Sequence, residues 1–271
     1  MKTILVQADL GKSFQARMAV ATSIAQQHGA RIRGLYVIPL FEMAGYSKYS
    51  FPKSVLEERS RAEHAEAQAA ENVFRTCLED SGVEGEWLVQ VGDLCETLCG
   101  FSRLTDLLIM GQRDPKGSDN ASPDRVVLRA GRPVMVTPHV AFDEQAGSRV
   151  LIAWDGSRES ARAVHDALPL LEKATQVDVV TFTEPKSEAA KVASLDAVLA
   201  FLQERGVSAD GESLVLNELS VGESLLNRVV DRGANMLVMG GYGQSRLREI
   251  VLGGVTRTVL EQSSIPVLMS R

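Results

Sequence analysis

The sequence is short of the features that most directly announce a protein's chemistry. It holds three cysteines, Cys77, Cys95 and Cys99, an odd number without a C-x-x-C pair, which excludes a disulfide framework. Cys95 and Cys99 stand four apart on one face of a helix predicted over 93–104. A metal there would still lack two ligands, so the pair reads as buried structural thiols. No apolar run reaches the roughly 18 to 20 residues of a membrane helix. The chain opens directly into a strand-like segment without an export signal. A cytoplasmic protein with no membrane partner is therefore expected. Positive charge is nowhere clustered, and a net charge of −6 offers no attractive field to a phosphate backbone, so nucleic acid is not an expected partner. The four histidines, His28, His64, His139 and His165, are far apart and belong to no motif with a nucleophile and a carboxylate. Neither a GxxxxGK[ST] loop nor a Ser-Gly-Gly-x-Asp-Ser pyrophosphate loop follows a strand.

What is present is a repeat. At 271 residues and 45% hydrophobic content the chain is long enough for two compact domains of about 130 residues each. The segment from Thr3 to Asp9 recurs from Val150 to Asp155. Both are apolar strands that end in Asp and feed a helix opened by Ser13 or Ser157. Val91 to Gly111 is matched by Val221 to Gly240, a helix running into a buried strand that stops at glycine. Arg132 to Val136 is matched by Ile265 to Met269, each with a proline before a short strand. Three matches in one order point to an internal duplication.

Between these anchors, strands are predicted near 2–8, 31–38, 85–91, 106–110 and 133–137, and again near 149–154, 176–182, 211–218, 235–239 and 266–270. Amphipathic helical stretches alternate with them. Leu107 to Met110 and Met236 to Met239 are apolar on both faces, as central strands of a covered parallel sheet must be. Two tandem doubly wound α/β sandwiches follow, residues 1–140 and 148–271, with a polar linker between. Residues 41–55 form an insertion carrying Phe41, Tyr46, Tyr49 and Phe51 that the second half lacks. The run from Glu57 to Glu71 reads as an exposed helix face.

Ligands of open α/β sheets sit beyond the carboxyl ends of the strands, at the switch in connection direction. In the second half this selects Asp155 and Gly240. From Gly240 the chain shows two residues, Gly243, nine residues, then Gly253, Gly254, Val255 and Thr256. Glycine lets bare backbone N–H groups approach phosphate, and a helix starting near Gly254 would turn its positive end to the same anion. The alternative is that these glycines serve turns and tight packing. Arg246 and Arg248 lie between the clusters, as phosphate contacts or as solvated loop residues.

This spacing, on two such repeats covering the whole chain, resembles the nucleotide-binding signature of the universal stress protein family. The resemblance implies a five-stranded parallel sheet in each half, in order 3-2-1-4-5, with an adenine nucleotide between strands 1 and 4. It implies that Ala153, Trp154 and Asp155 hold the adenosine portion and Phe182 contacts adenine, while Gly240, Gly243, Gly253, Gly254, Val255 and Thr256 hold phosphate. ATP, with or without Mg, is the expected ligand. One departure is Gly254, where the family has Ser or Thr, so a hydroxyl is missing; Thr256 either compensates or caps the helix. In the first half Asp9, Val37 and Gly111 remain, but Asp114 replaces the second glycine and Asn120 the third. That site is expected to be degenerate. No catalytic or metal-ligating residue is assigned. A stress-response sensor or regulator is expected, with a nucleotide-free interaction module or a weak ATP hydrolase as alternatives. Relatives pair their fifth strands, which here implies an intrachain pseudo-dimer of Val134–Thr137 with Val267–Ser270, and allows a homodimer.

Overall fold

The computed structural model describes residues 1–40, 53–113, 122–142, 145–183, 188–215, 219–242 and 254–271. In chain order the elements are β1 (Thr3–Ala8), α1 (Phe14–His28), β2 (Arg31–Pro39), α2 (Lys53–Ser81), β3 (Gly85–Gly92), α3 (Leu94–Ser102), β4 (Leu107–Gly111), α4 (Pro123–Arg129) and β5 (Val134–Thr137). The second half repeats them as β6 (Arg149–Ala153), α5 (Arg158–Leu171), β7 (Gln176–Thr183), α6 (Glu188–Gln203), β8 (Asp210–Val215), α7 (Val221–Asp231), β9 (Met236–Gly240), α8 (Gly254–Gln262) and β10 (Val267–Ser270). Every predicted strand is present to within a few residues at its ends. Residues 41–52 of the insertion, residues 114–121 and the glycine segment at 243–253 lie outside the described residues, and residues 53–55, read as the end of the insertion, already belong to α2.

All the strands join one sheet in the order β3-β2-β1-β4-β5-β10-β9-β6-β7-β8. Each half is parallel and runs 3-2-1-4-5, as the family resemblance implies, and the halves meet at one antiparallel pair. There Leu268 faces Met135, and Val267 and Met269 face Val136 and Val134. This pairing closes two apolar edges that would otherwise present unpaired backbone groups. Connections of the parallel type put helices on both faces. Phe14, Met18, Phe74, Val164 and Leu202, from α1, α2, α5 and α6, cover one face. Leu98, Val127, Leu225 and Val259, from α3, α4, α7 and α8, cover the other. β4 and β9, sandwiched between these layers, are buried along LLIM and MLVM, which accounts for their lack of alternation.

Cys95 and Cys99 are buried under α3, and burial followed by the neighbouring Cys95 thiol pushes Cys99 up to about 11, so these are packing residues. The long α2 is exposed along most of its outer face, as its charge run predicts. The helix starts differ from expectation in one place. Ser157 caps α5 by accepting from Ser160 N–H, whereas Ser13 stands at the N-cap of α1 without a side-chain bond. Among the described residues no helix is long and apolar enough to cross a membrane.

The entrance to β4 shows how one structural task is met by two chemistries. Partial desolvation would raise the pKa of exposed Asp106, but backbone N–H groups of Lys2 and Thr3 donate to its Oδ2 at 2.5 and 2.9 Å and hold the carboxyl below its usual value. Asn235, at the same point of the second half, accepts from the N–H groups of Gly147 and Arg149 at 3.2 and 2.9 Å without a charge. A depressed carboxyl stabilises the fold above its unfolded pKa of about 3.9, and that contribution is lost as pH falls through the folded value. Asp106→Asn should therefore cost no more than about 1 kcal/mol at neutral pH while flattening the acid limb of stability. Urea unfolding at several pH values between 2 and 7 checks this; an unchanged acid limb would show that Asp106 does not set it.

Candidate functional site

In the second half β6 and β9 lie side by side, Ala153 opposite Met239. From β6 the chain rises into α5 on one face, and α8 lies on the other. The ends of these two strands are thus the switch point at which an open sheet presents a crevice. Ala153, Phe182 and Val255 are half-buried against the core cluster of the α7 and α8 face. Trp154 turns the other way: its indole Nε1–H donates to Ser194 Oγ at 2.9 Å, so its main chain is what it presents at the strand end. Asp155 is exposed, and one carboxylate oxygen accepts from Ser157 N–H at 2.9 Å. Its other oxygen has no partner among the described residues.

Gly240 ends β9 for a reason that spacing does not reveal. A Cβ there would stand 2.6 Å from the Glu159 carbonyl carbon and 2.6 Å from the Ser160 nitrogen. The first turn of α5 rests directly on this backbone, so glycine is required for packing whatever ligand binds. Gly241 donates its N–H to Ser270 O at 2.9 Å, and a Cβ on it would meet Val127 Cγ1 of the first half at 2.8 Å. Tyr242 follows with φ at 64°, a left-handed conformation that a bulky residue seldom adopts. Its hydroxyl is buried without a hydrogen-bond partner among the described residues, and burial, then the charge of Asp124, push its pKa up. Gly254, the first residue of α8, is exposed with open space where a Cβ would project. Thr256 is buried one turn further on, and its hydroxyl accepts from Tyr242 N–H at 3.5 Å. That long contact joins the turn after β9 to α8, in place of the cap that the sequence suggests. Gly243 and Gly253 lie outside the described residues.

The first half has the same strand ends and a different occupant. Asp9 accepts from Gly11 N–H at 2.8 Å with one oxygen and from the Arg17 guanidinium at 2.8 Å with the other. Arg17 is 2% exposed, also donates to Gln7 O at 2.7 Å, and lies 5.7 Å from the centre of the Phe14 ring. A Cβ on Gly111 would stand 2.8 Å from its Nη2. The guanidinium thus lies between Asp9 and Gly111, the counterparts of Asp155 and Gly240. Val37 remains half-buried beside it on the other face. Sequence reading passed over Arg17, although a signal exists. Phe14, Arg17, Met18 and Ala21 share one buried stripe of α1, and a lone arginine on such a stripe needs an anion, which Asp9 supplies.

Among the described residues no group of three or more His, Cys, Asp or Glu side chains is placed to hold a metal ion. Among the described residues two carboxylates stand near this strand end, the exposed Asp155 and the buried Glu159 in the first turn of α5, which is paired with Arg158.

Residues 148–271 match the model of the universal stress protein family. Over its whole length the chain is 26% identical to the universal stress protein Slr1230 of Synechocystis, also over the whole of that protein. The universal stress protein YxiE of Bacillus subtilis is 30% identical across 46% of this chain and 99% of its own length. A crystal structure of a universal stress protein from Archaeoglobus fulgidus superposes with a TM-score of 0.79 at 17% identity, covering 99% of this chain and 98% of that one, a likeness of fold.

The buried ion pair yields a direct test of the occupied first site. Asp9→Ala would leave the Arg17 charge buried and unpaired, and breaking such a pair costs about 3–5 kcal/mol. The partial exposure of Asp9 places the expected loss at the lower end. Adding Arg17→Met should recover most of it, because an apolar chain then fills the same space. Chemical unfolding of the single and double variants measures both; a double variant no better than Asp9→Ala would mean that the guanidinium is not the group being held.

Proposed function

Because the chain belongs to the universal stress protein family, we propose that its second half, residues 148–271, binds an adenine nucleotide, ATP with or without Mg, and that the protein acts as a stress-response sensor or regulator. The observation that carries this reading is the asymmetry of the strand ends. Among the described residues Asp155 keeps a carboxylate oxygen without a partner, whereas Asp9 has surrendered its own to Arg17. A ribose needs such an acceptor for its hydroxyls. Ala153, Phe182 and Val255 supply an apolar flank, with Phe182 suited to stacking on a base. The main chain of Gly240, the spacing to Gly243 and Gly253, and the start of α8 at Gly254 are suited to a polyphosphate. Hydrolysis would demand a positioned water, a base and bound metal. Of the two carboxylates near the strand end Asp155 is exposed and Glu159 is buried and paired with Arg158, a meagre supply for that, so we read the protein as a holder of nucleotide.

A nucleotide-free interaction module is the second reading. It is favoured by Gly254, which stands where the family signature has a hydroxyl.

Calorimetric titration with Mg-ATP, and a search for nucleotide carried through purification, separate the two. Binding with one site per chain is expected, and Gly243→Trp should abolish it with an unchanged circular dichroism spectrum. Gly240→Ala is the contrasting case: it should destabilise the fold itself, since its methyl group would meet the α5 backbone. No heat with Mg-ATP and no carried nucleotide would refute the binding reading.

A further inference from the structure

Where the halves meet, an opening adjoins the turn after β9, on the side of Val127 and Ser270. It is a cavity of about 510 Å³ between the end of α4, the outer face of α5 and the end of β10. Its size falls in the range of small-molecule sites. Four guanidiniums line it: Arg132 from the first half, Arg158 and Arg162 one turn apart on α5, and Arg271 after β10. Val127 and Leu128 of α4 form an apolar wall.

The charges are incompletely neutralised. Arg158 is paired with Glu159, and Arg162 with Asp166 at 2.8 Å. Arg132 donates through Nε to the Arg103 carbonyl at 3.2 Å. Neither Arg132 nor Arg271 has an ion pair among the described residues. Asp166 lines the cavity as well, and with it and Glu159 counted against the four guanidiniums the balance is still positive, in a chain whose net charge is −6.

An independent observation points to a ligand. Ser270 lines the same cavity, is 2% exposed, and its hydroxyl has no hydrogen-bond partner among the described residues. A buried hydroxyl without a partner costs free energy that a bound acceptor would restore. Its main chain is already committed, since Ser270 O accepts from Gly241 N–H at 2.9 Å, so the sheet fixes this residue beside the cavity.

We propose that this cavity at the seam is a binding site for a small organic phosphate, distinct from the crevice at the β6 and β9 ends. Guanidinium forks suit phosphate oxygens in geometry as well as charge. Ser270 donates the short-range hydrogen bond, and the apolar wall of α4 takes the organic portion. Both halves contribute, so the site exists only in the paired arrangement.

The test is calorimetric titration of the full chain with inorganic pyrophosphate at fixed ionic strength. Binding is expected, weakening as salt screens the guanidiniums. The double variant Arg132→Ala/Arg271→Ala, both at exposed positions, should lose at least about tenfold in affinity for these charge-assisted contacts. Ser270→Ala should lose several-fold, and Gly243→Trp, the variant proposed to abolish nucleotide binding, should bind as the parent does. Absence of binding at millimolar pyrophosphate would overturn the assignment. So would a double variant that binds within twofold of the parent, or loss of binding in Gly243→Trp alone, which would place the anion in the nucleotide crevice.

Discussion

The antiparallel register of β5 on β10, with Leu268 opposite Met135, is the constraint from which the rest of the molecule's arrangement follows. A doubly wound sheet in order 3-2-1-4-5 ends on its fifth strand, and in an isolated half that strand would leave its backbone groups open to any passing edge. Pairing the two fifth strands satisfies both. It also brings equivalent layers together, so that α4 lies beside α8. Gln112 of the first half then donates to Leu260 O at 2.7 Å and accepts from His139 N–H at 3.2 Å. Val127 packs under Gly241. The turn that leaves β9 toward the glycine segment therefore rests on the other half of the chain, and the second site has a floor that it could not build alone.

Duplication frees one copy to change. At the strand ends of the first half the space beside Asp9 and Gly111 is filled by Arg17, an internal cation held by a carboxylate, a carbonyl and a neighbouring ring. A buried charge is costly unless paired, and here the carboxylate that could have faced a ribose serves as its partner. In the second half the corresponding gap is narrowed by main chain, the first turn of α5 on Gly240, and Asp155 stays open to solvent. The contrast arises from side-chain occupancy at one point, while the surrounding sheet is the same.

The architecture was legible in the sequence because burial on both faces leaves a plain mark. The runs LLIM and MLVM and their terminal glycines identify β4 and β9 without reference to neighbours, while the strand order comes from the family resemblance. The sites were legible only in part, since spacing identifies which residues are glycine and not what presses on them. Gly240 reads as a phosphate contact, yet the α5 backbone 2.6 Å from its missing Cβ already demands it. Ser13 and Ser157 look alike in sequence, but only Ser157 caps, because Ser13 has helical φ and ψ that turn its hydroxyl out of the capping role. Arg17 escaped notice because its partner lies on a different element, and long-range pairing has no local signature.

Charge shows the same limit from the other direction. With a net charge of −6 and no basic run, the sequence argues against any strongly positive surface. That argument treats residues distant along the chain as distant in space. Arg132 and Arg271 belong to different halves, and the seam carries both to the rim of one cavity, beside two arginines that share a helix face. At physiological salt an exposed charge acts over about 8 Å, so a ligand there experiences these neighbours far more than the chain's total. Local field is a property of the fold, and in this molecule it is set by the same pair of short strands that sets everything else.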